Sequence, residues 1–146
     1  MRIFCLFPCL ARQKPARHLV IYILQNIIAI LAATGAGLAI GLIGVRLSTG
    51  LLPAPGSLLI VALAEFWLAS ILAGALILAP PEAPALVMTL ATPIVIWVGF
   101  IVPVIVVLGT IGEISWRSTW LTSLHWLAVM LAMAATLQWV GLSAPA

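Results

Sequence analysis

The sequence predicts an all-α fold, a polytopic bundle of four transmembrane helices joined by short loops, and three observations carry that prediction. Hydrophobic residues make up 65% of the 146 and charged residues only 6%, with a mean hydropathy of +1.34; a water-soluble domain lies far from these values. Uncharged stretches cover residues 19–45, 47–64, 83–112 and 118–146, each near or above the roughly 18 to 20 residues that cross a hydrocarbon core of about 30 Å. Clusters of Gly, Pro and Ser separate the apolar runs, which is the chemistry of turns.

Residues 1–18 read as a basic cytoplasmic tail or interfacial segment. Four of the six basic residues stand there, at Arg2, Arg12, Lys14 and Arg17. Pro8 interrupts the short apolar run and no small-x-small pattern follows, so a retained tail is expected and not a cleaved signal. Residues 3–10 suit the headgroup region, with Arg12, Lys14 and Arg17 against anionic lipid. The net charge of +3 therefore belongs to one tail, and a nucleic-acid partner, which needs a basic face on a folded domain, is not expected. Cys5 and Cys9 share a face if helical. With only His18 nearby they fall short of a four-ligand set, so no metal is expected.

The first span is predicted over about 19–45, ending at Arg46, with Tyr22 near the membrane boundary. Gly37, Gly41 and Gly44 recur at spacings of four and three, which lines them on one stripe where a second helix can approach closely. Ser48, Gly50, Pro53, Pro55 and Gly56 make the first loop. The second span, about 57–79, contains Glu65. Its 12 Leu, Ile, Val and Phe residues, at roughly −0.3 to −0.6 kcal/mol each, outweigh an acidic penalty of about 3 kcal/mol on the insertion scale.

Pro80, Pro81, Glu82 and Pro84 form a tight turn, which makes the second and third spans antiparallel neighbours. The third span, about 85–109, carries Pro93 and Pro103, each removing a backbone hydrogen bond and inviting a kink. Residues 112–117 are a polar turn, the fourth span covers about 118–140, and residues 142–146 are a short tail. Four basic residues before the first span against Arg46 and Arg117 on the other side place both termini in the cytoplasm. Trp116 and Trp120 then mark the outer boundary and Trp139 the inner one.

Glu65 lies eight residues into the second span, His125 seven into the fourth, and Pro103 nine before Gly112, so at 1.5 Å per residue all three fall about 10–14 Å from the same end. An ionisable residue in a span is expensive and turns to the bundle interior, a partner or water, which makes Glu65 a site candidate with His125 as its partner. The bland alternative is a neutral Glu65 that hydrogen-bonds within the bundle and helps it choose one packing, a contribution of about 0.6–2 kcal/mol. Burial and pairing pull each group's protonation in opposite directions, so the sequence leaves it open. One intramembrane histidine does not support a tetrapyrrole, and no cofactor is expected. Ser115, Ser118, Thr119, Thr122 and Ser123 have no paired base; they serve helix ends, and catalysis is not supported. Gln25, Asn26 and Gln138 near the inner boundary need no special role.

Trp97, Gly99, Phe100 and Pro103, then Glu113, Trp116 and Arg117, then the aromatic helix around His125 and Trp126 resemble the bacterial four-span membrane proteins grouped as domain of unknown function 1761. The resemblance covers about residues 96–139. It implies a four-span fold and a bacterial inner membrane, with no reaction attached. The glycine stripe and minimal loops lead to the expectation of a small structural or accessory subunit, its partners the lipid bilayer and another membrane protein or further copies of itself. The rival is a small transporter or proton-conducting protein using Glu65 and His125.

Overall fold

The computed structural model describes residues 21–51, 53–80, 82–112 and 114–143. Arg12, Lys14 and Arg17, expected against the lipid surface, lie outside the described residues, as do Cys5, Cys9, His18 and Glu113. The bundle comprises α1 (Ile27–Thr49), α2 (Pro55–Ile77), α3 (Ala85–Ile96), a π-helical turn (Trp97–Ile101), α4 (Val102–Ile111) and α5 (Trp116–Val140). The third span is continuous through α3, the π-turn and α4, so four helices are long and apolar enough to cross a membrane. The all-α four-span fold predicted from hydropathy is the fold observed, and the chain is an integral membrane protein.

Residues 21–25 are already helical, and a turn at Asn26 precedes α1. At its other end α1 passes the expected stop at Arg46 and continues to Thr49, where Gly50 at φ 71° caps it and donates its N–H to the Arg46 carbonyl. The left-handed residue that a helix uses to close its last turn is here the glycine, which adopts that φ without a Cβ penalty. A single arginine near the helix end does not stop the helix; the glycine that follows Thr49 does. Pro55 opens α2 at the one place where a missing N–H costs nothing. Ser115 caps α5, its hydroxyl accepting from the Ser118 N–H at 3.3 Å.

α1 runs antiparallel to both α2 and α5, as the cross-links between them record. The Tyr22 hydroxyl donates to the Ser70 carbonyl at 2.6 Å, tying the approach to α1 to the second half of α2, and its ring lies against Gly74. Asn26 donates to the Ser143 carbonyl at 3.0 Å and accepts the Ser143 N–H at 2.8 Å. The start of α1 and the end of α5 therefore share one end of the bundle. α5 is the central helix, packed against α1, α2, α3 and α4, while α1 pairs with α5 and α2.

The buried core sits toward the Asn26 end, where Ile30, Leu72, Met130, Met133 and Leu137 are all fully covered. Large apolar side chains elsewhere, such as Leu59, Ile60, Leu86 and Phe100, point outward, as a bundle solvated by lipid requires. Most hydroxyls inside the helices that form a hydrogen bond do so locally. Thr34, Ser70, Thr89, Thr110 and Thr136 each donate to the carbonyl four residues back at 2.8 Å, the usual solution where no water is at hand.

The π-turn lies directly before Pro103. In a regular helix the proline ring collides with the carbonyl four residues back, and widening the preceding turn moves that carbonyl away. Val102 accordingly donates its N–H to Trp97, five residues earlier. Pro103 itself is exposed, its ring turned away from the bundle interior. The buried residue of α4 is Gly109, six residues on and about 120° round the helix. Helix rotation, invisible to a depth count, decided this.

Asn26→Ala removes both hydrogen bonds to Ser143. The expected outcome is a loss of about 0.6–2 kcal/mol, read as a lower thermal midpoint in detergent, together with faster carboxypeptidase trimming past Ser143. No change in either would mean the latch does not hold the chain end.

Candidate functional site

The glycine stripe on α1 is the floor on which the other two polar groups rest. A Cβ placed on Gly37 would stand 2.7 Å from Glu65 Oε2 and overlap the Met133 methyl, and one on Gly41 would stand 3.2 Å from Glu65 Oε1. At Gly44 it would run into the His125 ring, 2.8 Å from Nδ1 and 3.3 Å from Nε2. Three glycines spaced four and three apart thus admit a carboxyl group and an imidazole directly onto the α1 backbone. Any side chain there would hold α2 and α5 further off.

The periodicities of α2 and α5 explain why these side chains face inward. Glu65 leads the buried stripe Ala69, Leu72 and Ala73 on α2, at the i, i+4, i+7, i+8 spacing of one helix face. His125 stands four and eight residues before the buried Val129 and Met133, on the face of α5 turned to α1. Glu65 and His125 reach α1 one turn apart, His125 nearer the α1–α2 connection.

Both line one pocket of about 250 Å³ between α1, α2 and α5. Trp126 and the aliphatic Leu38, Leu42 and Val61 form much of its wall, and Pro53 of the connection stands at its outer end. The pocket therefore runs from the α1–α2 connection down to Glu65. Beyond Glu65 lies the fully covered core of Ile30, Leu72, Met133 and Leu137.

Glu65 is 2% exposed. Its Oε1 lies over Gly41, a residue of the pocket wall, whereas Oε2 is buried over Gly37 with no hydrogen-bond partner. An unmatched buried oxygen costs about 1–3 kcal/mol. The carboxyl group is thus held where packing alone would favour an apolar residue.

Two features escaped sequence reasoning. Asn26 is buried and bonded to Ser143, although its sequence position suggested only contact with headgroups. Trp97, turned inward by the π-helix, donates its indole N–H to the Ser123 carbonyl at 2.8 Å, while the Ser123 hydroxyl is buried without a partner. Two prolines ten residues apart in one span were the only signal for that turn. Among the described residues, no group of three or more His, Cys, Asp or Glu side chains is placed to hold a metal ion.

No family model, no curated protein and no solved structure matches the chain.

Glu65→Met, which replaces an unmatched oxygen by an apolar end of similar reach, is expected to raise stability by about 1–3 kcal/mol, measured as the thermal midpoint in detergent. Gly37→Val is expected to lower it by about 1–3 kcal/mol through overpacking. A Glu65→Met protein less stable than the original would show that the carboxyl group is a structural tie.

Proposed function

We propose that this integral membrane protein is a small transporter that handles protons, and that Glu65 is the group loaded and unloaded. The observation that supports this reading is the position of Glu65: a carboxyl group in mid-span, one oxygen unmatched, lining a pocket that extends to Pro53 of the α1–α2 connection. An acid at the centre of a span costs about 3 kcal/mol of insertion energy, and here no hydrogen bond to Oε2 offsets that cost. Intramembrane acids kept at such a cost mark ion and proton pathways.

The pocket reaches Glu65 from the α1–α2 connection, and the buried core of Ile30, Leu72 and Met133 lies on its other side. That one-sided access fits a carrier that exposes its site to each face in turn better than an open pore. His125, one turn nearer the mouth, is placed to relay a proton between the mouth and Glu65, since an imidazole accepts and donates near neutral pH. With the basic tail in the cytoplasm, the pocket opens outward. Placement in a bacterial inner membrane, and kinship with the domain of unknown function 1761 proteins, belong to the same proposal.

The expectation of an accessory subunit has support from a separate observation. Only 6% of the third span's apolar window is buried, against 28%, 28% and 33% for the others, so this span contributes least to the bundle's own core and offers most surface to a neighbour or a second copy.

Reconstituted in vesicles and given an acid step, the protein is expected to speed acidification of the lumen, reported by an entrapped dye. Glu65→Gln is expected to return the rate to that of empty vesicles, and His125→Gln to slow it. Equal rates in the original and Glu65→Gln proteins would overturn the reading. For the second reading, a cysteine at Phe100, exposed on the third span, is expected to crosslink to another chain in native membranes, and one at Ala33, in the core, is not.

A further inference from the structure

The chemistry of the pocket narrows what else it accepts, provided that Glu65 acts there as proposed above. Its wall offers one carboxyl group, one imidazole and one indole, and the remaining lining is aliphatic apart from Gly41 and Pro53. An inorganic cation needs several oxygen ligands, commonly six or more for a hard ion. Here Glu65 is the only acidic side chain in the pocket, and the backbone carbonyls around it belong to helices. An anion would meet the carboxyl group. A neutral apolar guest would leave Glu65 unmatched.

We infer that the pocket between α1, α2 and α5 binds a hydrophobic organic monocation, an amine or quaternary ammonium, with its charge beside Glu65 Oε1 and its apolar groups against Trp126, Leu38, Leu42 and Val61. A volume of about 250 Å³ is below the usual size of a drug pocket and suits a guest of about a dozen heavy atoms. The indole of Trp126 adds a face that attracts a cation in a desolvated setting. The geometry also couples the guest to a proton: a cation entering beside a protonated Glu65 leaves a carboxylate–cation pair and sends one proton to the aqueous phase.

Competition with protons follows, and its sign is set by the groups around Glu65. His125 faces the same pocket from α5. α1 presents Gly37 and Gly41 to the acid, and neither residues 85–96 nor residues 97–111 contain a titratable side chain. Arg46 and Arg117 are exposed near the helix ends. Lowering the pH neutralises Glu65, which removes the charge that holds the guest and weakens cation binding.

The test is calorimetric titration of the full chain in detergent with benzyltrimethylammonium, alongside neopentylbenzene, its uncharged isostere. Saturable binding of the cation, weakening as the pH falls and roughly ten- to hundredfold weaker in Glu65→Gln, is the expected result, with Glu65→Asp retaining part of the affinity. Trp126→Leu is expected to weaken it a few-fold. Binding of neopentylbenzene as tight as that of the cation, or cation binding unchanged in Glu65→Gln, would overturn the inference by showing a plain apolar cleft. Proton flux that depends on Glu65 without any cation binding would overturn the inference and leave the transport reading standing. Cation binding that depends on Glu65 with flux that does not would overturn the transport reading and keep the site.

Discussion

Close approach to the α1 backbone at Gly37, Gly41 and Gly44 is the contact from which the rest of the bundle is set. Helices in lipid gain nothing from apolar surface as such, because the acyl chains are equally apolar; they associate where backbones come near enough for dense packing and polar contact. The three glycines provide that on a single stripe. Met133 and Glu65 settle on Gly37, Glu65 also on Gly41, and the His125 ring on Gly44. Both α2 and α5 are thereby drawn to the same helix, and the pocket is the space left between them on the side of the α1–α2 connection.

The absence of water inside the bilayer sorts the remaining polar groups. Hydroxyls on Thr34, Ser70, Thr89 and Thr136 turn back on their own helices. Tyr22, Asn26 and Trp97 instead reach another span or chain segment and so fix which helices meet. Among the described residues, two buried polar side-chain atoms are left over, Glu65 Oε2 and Ser123 Oγ. Only the first belongs to a group that can carry charge and stands at a pocket. That contrast, in a molecule that otherwise satisfies its polar groups with short local bonds, is the physical ground for reading Glu65 as a working residue and not as a packing device.

The third span differs from its neighbours because two prolines govern it. Pro93 is buried and tolerated within α3, whereas Pro103 is relieved by the widened turn before it, at the lipid-facing side. The same turn carries Trp97 to the Ser123 carbonyl. Near the far end Gly109 lets Thr119 approach α4, so this span holds to α5 through α3, Trp97 and Gly109 and leaves most of its other surface to lipid or to another protein.

Hydropathy and charge distribution by themselves determined that this chain folds as four apolar helices in lipid, because the cost of exposing apolar side chains to water depends on composition and run length, not on tertiary contacts. The glycine spacing likewise marked the closest seam, since a missing Cβ is a local property. Glu65 and His125, expected at one level, meet α1 about a turn apart, at Gly37 and Gly41 and at Gly44. Which way each side chain points was decided only by the packed structure, because rotation about the helix axis depends on every neighbour at once. Pro103 accordingly faces away, Asn26 becomes a latch for Ser143, and an acid identified only by its cost proves to line a pocket.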